Sequence, residues 1–165
     1  MEIFRGRRLW IETKTVRLPS GAEREKVFVH PSNAVAILPM SGDRCILLRQ
    51  YRYAIDQYIL EAPAGTMEPG EDPLATAGRE LIEETGFAAQ TIVPKGFIYT
   101  TPGFTDEMIF LFEARDLSPS QEYGKDEDEV IEVIDVATND LPGMIRDGSI
   151  VDGKTICLIQ RCLEY

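Results

Sequence analysis

Histidine and cysteine, the side chains of most protein zinc sites, are scarce in this sequence. Its 165 residues include one histidine, His30, and three cysteines, Cys45, Cys157 and Cys162, which form no CxxC pair. This excludes the zinc hydrolase sites that need two or three such ligands. The odd number of cysteines and the lack of a CxxC pair favour free thiols, so we expect a protein of the reducing cytoplasm.

Long apolar runs and an excess of basic residues are also missing. No apolar run approaches the roughly 18 residues of a membrane helix. No apolar stretch follows the arginines of residues 1–10, so we expect neither a membrane partner nor a signal peptide. Lysine and arginine total 17 against 28 acidic residues, a formal net charge of −11. A chain of this charge repels nucleic acid, so we expect no nucleic-acid partner.

Turn residues and apolar patterns divide the chain into strands and three helices. Asp72 as N-cap, Pro73 at the first helical position and Gly86 after the last turn predict a helix at about 73–85. Two further helices are expected at about 140–146 and 154–163. Apolar runs predict strands within residues 1–30 and at 33–40, 44–53, 58–64, 96–100, 107–115 and 129–136.

The order of these elements predicts an α/β fold, in which helices flank a mixed sheet. We expect residues 1–32 to form a short N-terminal β arm and residues 33–165 to form the main domain. The arm has little apolar core of its own. Its apolar side chains therefore need another surface, either the main domain or a second subunit.

The predicted helix at 73–85 carries three carboxylates on one face. Glu80, Glu83 and Glu84 are spaced i, i+3 and i+4, and they lie toward the C-terminal end of the helix. Like charges at this spacing repel each other, and the helix dipole disfavours anions at this end. A solvated acidic face is one interpretation. A site for a divalent cation, which would reverse both effects, is the other.

A turn-rich loop before this helix completes a longer motif. The motif reads Gx5Ex7REUxEExGU, where U is a bulky apolar residue. It begins at Gly65, has Glu71 as its first glutamate, and ends with the run from Arg79 to Phe87. This pattern resembles the Nudix box, and every fixed position matches. Phe87 stands where Ile, Leu or Val is more usual. The resemblance implies the Nudix fold, an α/β/α sandwich with a mixed sheet.

The resemblance also implies a metal cofactor and its ligands. Nudix enzymes hydrolyse nucleoside diphosphates linked to another group, and their box binds Mg²⁺ or Mn²⁺. By position, Glu80 and Glu84 are the main metal ligands, and Glu83 assists them. In related enzymes a backbone carbonyl just before the box glycine also binds metal, and in this sequence it belongs to Ala64.

The same resemblance implies catalytic roles for charged residues around the metal ligands. Arg79 and Glu71 match residues that orient the ligands, a role that affects metal affinity. The acidic run at 126–133 is similar to the loop that supplies the catalytic glutamate. Matching on the IEV sequence at 131–133 places the base at Glu129, and the alternative register places it at Glu127.

Features outside the box are similar to those of the ADP-ribose pyrophosphatases. Residues 46–53 and 60–65 resemble paired strand motifs of that subgroup. Pro102 lies 15 residues after Phe87, where the subgroup has a proline, in a loop at 101–107 that is also similar. These features have alternative interpretations. Arg49 and Arg52 could face solvent at strand ends, and Pro102 and Gly103 could form an ordinary turn. The substrate contacts that the resemblance implies are Arg52, which suits a diphosphate because arginine binds such groups bidentately, and Arg49, Tyr51, Pro102 and Gly103.

The reaction that this subgroup implies is Mg²⁺-dependent hydrolysis of ADP-ribose to AMP and ribose 5-phosphate by metal-activated water. Because the box handles only phosphates and metal, GDP-mannose or another sugar nucleotide, NADH and a diadenosine polyphosphate are alternative substrates. A non-catalytic ADP-ribose-binding module is a further alternative. Trp10, Phe28 and Tyr51 are candidates for stacking on the base. The family also suggests a homodimer in which residues 1–30 pair across subunits.

Overall fold

The computed structural model describes residues 1–123 and 130–163. Its strands are β1 (Glu2–Arg5), β2 (Leu9–Arg17), β3 (Glu23–Pro31), β4 (Ala34–Ser41), β5 (Arg44–Arg52), β6 (Gln57–Glu61), β7 (Ala64–Thr66), β8 (Phe87–Tyr99), β9 (Met108–Pro119) and β10 (Ile131–Ala137). Its α-helices are α1 (Pro73–Thr85), α2 (Leu141–Arg146) and α3 (Gly153–Cys162). None of these described helices is long and apolar enough to cross a membrane.

The main sheet has seven strands and is mixed. Five strands follow the order β10-β5-β4-β9-β8, while β6 pairs with β5 and β7 pairs with β4. Strands β4 and β9 are parallel, with Ala34 opposite Ile109, and the other pairs in this sheet are antiparallel. The predicted mixed sheet is therefore confirmed.

Strand β4 lies in the middle of this sheet and is buried on both faces. Val35 and Ile37 pack in a cluster with Leu81 of α1, whereas Leu38 packs in a cluster with Leu158 of α3. Each of these side chains is fully buried, and burying one contributes roughly 1.5–3 kcal/mol. Helices thus cover both faces of the sheet, which confirms the predicted α/β/α class.

Helix α1 begins and ends where its capping residues predict. The Asp72 carboxylate accepts hydrogen bonds from the N–H groups of Leu74 at 3.0 Å and Ala75 at 3.2 Å. At the other end, Gly86 has φ of 75° and its N–H donates to the Ile82 carbonyl at 2.8 Å. A positive φ is easily adopted only by glycine. The caps fix where α1 begins and ends, and the packing of Ala77 and Leu81 against β4 sets the direction of its acidic face.

The single strand predicted at 58–64 is two strands in the structure. Strand β6 ends at Glu61 and β7 begins at Ala64, and the two pair with different neighbours. Between them, the Ala62 N–H donates to the Thr155 hydroxyl at 2.8 Å, and the Pro63 carbonyl accepts from Ile37 N–H at 2.8 Å. This break lets the chain cross from the edge of β5 to the edge of β4.

Strand β8 starts at Phe87, whereas the sequence predicted a strand only at 96–100. Pro94 lacks an N–H donor, and Gly96 has a φ of 86°. The register with β9 shifts between Pro94 and Phe97. Because β8 is an edge strand, a proline and a bulge are tolerated there. The interruption hid the first half of the strand from a pattern-based prediction.

The N-terminal strands β1, β2 and β3 form a sheet of their own. This sheet contacts the loop that contains Pro102. The Val29 N–H donates to the Phe104 carbonyl at 2.9 Å, and His30 Nδ1 lies 2.7 Å from Asp106 Oδ2. The boundary between arm and main domain at residue 32 stays a prediction.

The three cysteines are free thiols, as the sequence suggested. Burial raises the pKa of Cys45 to about 11 and that of Cys162 to about 12. Both groups are therefore protonated at neutral pH, and a thiol is a weaker nucleophile than a thiolate.

A buried carboxylate on β9, Glu113, is held between two cations. Lys95 Nζ lies 2.6 Å from Glu113 Oε2, and Arg115 Nε donates to Oε1. Burial alone would raise the pKa of Glu113, but the hydrogen bonds from Arg115 and Lys95 outweigh burial, so the pKa is lowered. This group of three lies outside the cleft described below.

Acidification is expected to reduce the free energy of unfolding more in the wild type than in Glu113→Gln. A carboxyl with a folded pKa below its unfolded value stabilises the fold fully above its ordinary pKa of 4.5. That stability is lost as the pH falls through the lower folded pKa. Urea unfolding of both proteins from about pH 7 to about pH 3 measures the difference. Equal losses in both proteins would contradict the prediction.

Candidate active site

A cleft of about 710 Å³ opens where α1, the start of α3 and the strands β6 and β7 meet. Among the described residues that line it, the basic side chains are Arg8, Arg52, Arg79 and Lys154. The acidic side chains are Glu61, Glu68, Glu80, Glu83, Glu84 and Asp152. Because the acidic groups outnumber the basic ones, the cleft repels an anionic ligand unless a cation binds with it.

One wall of the cleft is the acidic face of α1. Arg79 Nη1 lies 2.8 Å from Glu80 Oε1 and 2.8 Å from Glu83 Oε2. Glu71 holds the other side of the same guanidinium, with Oε1 3.2 Å from Nε and Oε2 3.3 Å from Nη2. Arg79 therefore offsets part of the repulsion within the acidic face and fixes the positions of these carboxylates.

These contacts shift two pKa values beside the carboxylates. Burial alone would lower the pKa of Arg79, but the hydrogen bond with Glu71 and the two neighbouring carboxylates outweigh burial and raise it. The hydrogen bond from Arg79 lowers the pKa of Glu71. Both side chains are therefore charged at neutral pH, and the ion pair between them persists.

The backbone of β7 packs directly against two carboxylates of α1. The Ala64 N–H donates to Glu84 Oε2 at 2.8 Å. A Cβ atom on Gly65 would lie 1.9 Å from Cδ and 2.0 Å from Oε1 of Glu80. A side chain at position 65 would therefore displace the Glu80 carboxylate. The first glycine of the motif is needed for this close approach.

The donors gathered at this wall suit a divalent cation. The hard oxygens are those of the Glu80, Glu83 and Glu84 carboxylates, and Ala64, whose carbonyl is the fourth expected ligand, lines the same cleft. Within the described part of the chain, no group of three or more acidic, histidine or cysteine side chains is arranged to hold a metal ion by itself. Mg²⁺ commonly binds one or two carboxylates and completes its coordination with water and substrate phosphates. An open set of oxygens beside a cleft therefore fits this ion.

A second wall of the cleft holds a buried ion cluster, of which the sequence analysis named only Arg52. Glu61, at the end of β6, is 1% exposed. Arg52 Nε and Nη2 donate to its two oxygens at 2.6 Å and 2.7 Å, and Lys154 Nζ donates to Oε2. Lys154 also donates to Asp152 at 3.0 Å, and Asp152 caps α3 by accepting from Thr155 N–H at 2.9 Å.

Two signals in the sequence point toward this cluster. Glu61 interrupts an apolar run, and a buried carboxylate needs a cationic or hydrogen-bonding partner. Asp152 precedes the third predicted helix in the manner of an N-cap. Neither signal identifies which of the 17 basic residues pairs with Glu61, because 93 positions separate Glu61 from Lys154.

Among the predicted substrate contacts, Arg52 lines the cleft, and its pKa is raised chiefly by the hydrogen bond to Glu61. Arg49 and Tyr51 are not among the residues that line the cleft. The Arg49 guanidinium lies over the Tyr58 ring, 4.0 Å from its centroid. Tyr51 packs edge-on against the same ring, with centroids 5.1 Å apart.

The loop of Pro102 and Gly103 is exposed and lies outside the cleft lining, beside the N-terminal arm. The predicted base Glu129 and its alternative Glu127 lie outside the described residues.

Of the aromatic candidates, Trp10 stacks on His30, with ring centroids 3.9 Å apart. One Trp10 face is therefore already covered within this chain.

Arg8 is another cleft residue that the sequence analysis missed. It lies between β1 and β2, in the arm rather than in the main domain, and it lines the cleft. Its neighbour Arg7 lies 3.7 Å from Glu68, which also lines the cleft. The arm of the same chain therefore reaches the site.

Comparison with known proteins agrees with this geometry. A family model described as the NUDIX domain matches residues 30–158. An ADP-ribose pyrophosphatase of Bacillus subtilis (strain 168) is 38% identical over 162 residues, 96% of this chain and 87% of that protein. A methanol dehydrogenase activator of Bacillus methanolicus is 35% identical over 161 residues, again 96% and 87% of the two chains.

Two further similarities cover most of the chain. A GDP-mannose pyrophosphatase of Cronobacter sakazakii is 35% identical over 138 residues, 78% of this chain and 72% of that protein. The crystal structure of an ADP compounds hydrolase superposes with a TM-score of 0.87, at 24% identity, over 98% of this chain and 88% of that one. At this identity, the structural match shows the fold alone.

Proposed function

The chain belongs to the Nudix hydrolase family, and from that premise we propose that it hydrolyses ADP-ribose to AMP and ribose 5-phosphate with bound Mg²⁺, or Mn²⁺ in its place. One observation carries the proposal: a single cleft is lined both by the acidic face of α1 and by Arg52. The first wall suits a cation and the second suits a diphosphate. The 38% identity with an ADP-ribose pyrophosphatase supports the choice of substrate.

The proposed cation ligands all lie on the wall formed by α1 and β7, and they are Glu80, Glu83, Glu84 and the Ala64 carbonyl. When bound, Mg²⁺ would neutralise the diphosphate and lower the pKa of a bound water. Arg79 and Glu71 orient the carboxylates through the ion pairs described above. Glu83 shares in this role because it also pairs with Arg79.

Arg52 and Glu129 are proposed to act on the substrate and on the attacking water. Arg52 binds the diphosphate through the guanidinium edge that Glu61 does not use. Glu129 accepts a proton from water while the water oxygen forms a bond to phosphorus. The bond from that phosphorus to the bridging oxygen breaks, and the two products leave as phosphate monoesters.

Glu129→Gln is expected to lower kcat about 10²-fold, the lower end of what a positioned acid or base contributes. The KM for ADP-ribose should change little, because a glutamine keeps the size of the side chain and the base acts in the chemical step. Steady-state kinetics at saturating Mg²⁺ measure both constants. Glu127→Gln is the matched control, and a larger loss in that variant would assign the base to Glu127.

A substrate panel tests the proposed function directly. The purified chain is incubated with ADP-ribose, NADH, GDP-mannose, UDP-glucose or a diadenosine polyphosphate, and the products are resolved by chromatography. Parallel reactions contain Mg²⁺, Mn²⁺ or a chelator. We expect the highest kcat/KM for ADP-ribose, with AMP and ribose 5-phosphate as products, and no turnover with the chelator.

Hydrolysis of another nucleoside diphosphate derivative is the second candidate, and the 35% identity with a GDP-mannose pyrophosphatase favours it. A higher kcat/KM for GDP-mannose in the panel would select this candidate. Tight binding of ADP-ribose without turnover under either metal would instead indicate a non-catalytic binding module. The complete acidic set of the motif argues against that outcome.

The expected homodimer is also proposed here, with residues 1–32 as the pairing and substrate-binding arm. Exposed apolar side chains on the arm support it, since Ile3, Phe4 and Val27 are each more than half exposed. Sedimentation equilibrium reports the mass in solution. We also propose a cytoplasmic location, which suits the free thiols.

A further inference from the structure

We infer that Lys154 is a positioning residue for substrate binding, which keeps Arg52 oriented and available to an anionic diphosphate through their shared partner Glu61. The inference rests on the proposed function, because it adds a residue to the same site. Lys154 lies on α3, outside the motif and outside both strand segments that point to the substrate. Its place in the cleft is visible only in the folded chain.

Glu61 fixes the plane of the Arg52 guanidinium. Nε and Nη2 of Arg52 donate to the two Glu61 oxygens at 2.6 Å and 2.7 Å. This pair uses Nε and Nη2 and does not involve Nη1. A carboxylate that holds one edge of a guanidinium leaves the opposite donors for a ligand. The orientation of Arg52 therefore depends on the position of the Glu61 carboxylate.

Lys154 in turn fixes the Glu61 carboxylate. Its Nζ donates to Glu61 Oε2 and, at 3.0 Å, to Asp152 Oδ2. The Lys154 side chain is only 11% exposed and that of Glu61 is 2% exposed. Both groups have lost most of their water, so each stabilises the charge of the other. Lys154 thus links the start of α3 to the end of β6 through a buried ion pair.

Charge balance gives Lys154 a role beyond packing. Arg52 and Lys154 together balance Glu61 and Asp152, so the formal charges of these four groups cancel. Removing the ammonium would leave one net negative charge beside Arg52. An anionic diphosphate would then meet repulsion at the wall that should bind it. Loss of Lys154 should therefore weaken substrate binding more than it slows the chemical step.

A second ion group in the same chain provides a control for purely structural effects. Glu113, Lys95 and Arg115 repeat the pattern of a buried carboxylate shared by a lysine and an arginine. The Lys95 and Glu113 side chains are 21% and 2% exposed, close to the values of Lys154 and Glu61. None of these three residues lines the cleft.

The experiment compares four variants with the wild type: Lys154→Met, Lys154→Gln, Lys154→Arg and Lys95→Met. Steady-state kinetics with ADP-ribose at saturating Mg²⁺ give KM and kcat. Calorimetric titration with ADP and Mg²⁺ measures nucleotide binding without turnover. Mn²⁺ titration without nucleotide measures cation binding. Thermal unfolding reports stability. Lys154→Gln keeps a hydrogen-bond donor and loses the charge, so it replaces Lys154→Met in the comparison if that variant does not fold.

Both neutral variants are expected to raise KM and weaken ADP binding about 10- to 100-fold, as for loss of a charged hydrogen bond. Their kcat should change less than threefold, and Mn²⁺ binding should equal that of the wild type. Lys154→Arg should restore most of the affinity. Lys95→Met should lower the unfolding temperature and leave KM unchanged.

Several results would overturn the inference. An unchanged KM in the neutral variants would do so, as would the same rise in Lys95→Met or a failure of Lys154→Arg to restore affinity. If the wild type cleaves ADP-ribose in these cases, the proposed function stands and only the role of Lys154 is lost. A wild type that neither cleaves ADP-ribose nor binds ADP would overturn both.

Discussion

Glu84→Gln and Glu80→Gln are each expected to lose about 10³-fold in kcat/KM while the chain stays folded. A cation stabilises transition-state charge by several kcal/mol, and roughly 4 kcal/mol corresponds to this loss. A glutamine keeps the size of the side chain and an oxygen acceptor, but it cannot balance the charge of a divalent ion. Kinetics with ADP-ribose across a range of Mg²⁺ concentrations, together with Mn²⁺ titration, measure the effect.

Folding should survive these substitutions because the three carboxylates repel one another on α1. Glutamine at position 84 can still accept the hydrogen bond from Ala64 N–H. Glu80→Gln loses the ion pair with Arg79, but Arg79 keeps Glu71 and Glu83. The unfolding temperature should therefore stay close to that of the wild type. Glu23→Gln, which changes an exposed carboxylate on β3, is the control and should keep full activity. Near-normal turnover in either cleft variant would refute the metal assignment.

Gly65→Ala is expected to lose activity on the same scale, about 10³-fold, because a methyl group would displace a proposed metal ligand. The added Cβ would lie 1.9 Å from Glu80 Cδ and 2.3 Å from its Oε2. The atoms in its way belong to the end of a flexible side chain, so the chain should fold with Glu80 moved aside. Mn²⁺ affinity and kcat/KM should fall together.

Gly143→Ala is the matched control for this substitution. A Cβ there meets no atom within 4 Å, and alanine is favoured over glycine in a helix such as α2. We expect wild-type kinetics and an equal or higher unfolding temperature. Gly65→Ala with wild-type Mn²⁺ affinity would show that Glu80 is not held at the cation by this close approach.

The two predictions test different parts of one arrangement. The carboxylate variants remove charge and leave the backbone of β7 in place. The glycine variant leaves every charge and moves one of them. If cation binding needs both the charge and its position, both kinds of variant should lose Mn²⁺ affinity and kcat/KM. Doubling the Mg²⁺ concentration should not fully restore kcat/KM in either.

Much of the acidic wall was predictable because its determinants are close together in the chain. Asp72 and Gly86 determine the ends of α1, and the spacing of Glu80, Glu83 and Glu84 determines their common face. A helix of known ends and period leaves little freedom in the directions of its side chains. The continuous apolar run of β4 likewise predicts a strand covered on both faces.

The wall of the cleft that holds the buried ion cluster could not be predicted from the sequence in the same way. Arg52, Glu61 and Lys154 meet across three separate elements, and the two ends of the buried ion pair are 93 positions apart. The break at Ala62 and Pro63, which turns the chain from β5 to β4, depends on bonds to Thr155 and Ile37 rather than on a local pattern. The first half of β8 was hidden for a similar reason, since its pairing with β9 outweighs a proline.

The sequence by itself therefore determined the family, the fold class and the acidic wall, because capping, helical period and a spaced motif act within a few turns of chain. The sequence also favoured Arg52 for the diphosphate, but only the tertiary structure decided which carboxylate orients Arg52 and which lysine balances the charge. These contacts depend on how β5, β6 and the start of α3 come together around the cleft. A buried charge is stable only where the folded chain places an oppositely charged or hydrogen-bonding partner beside it.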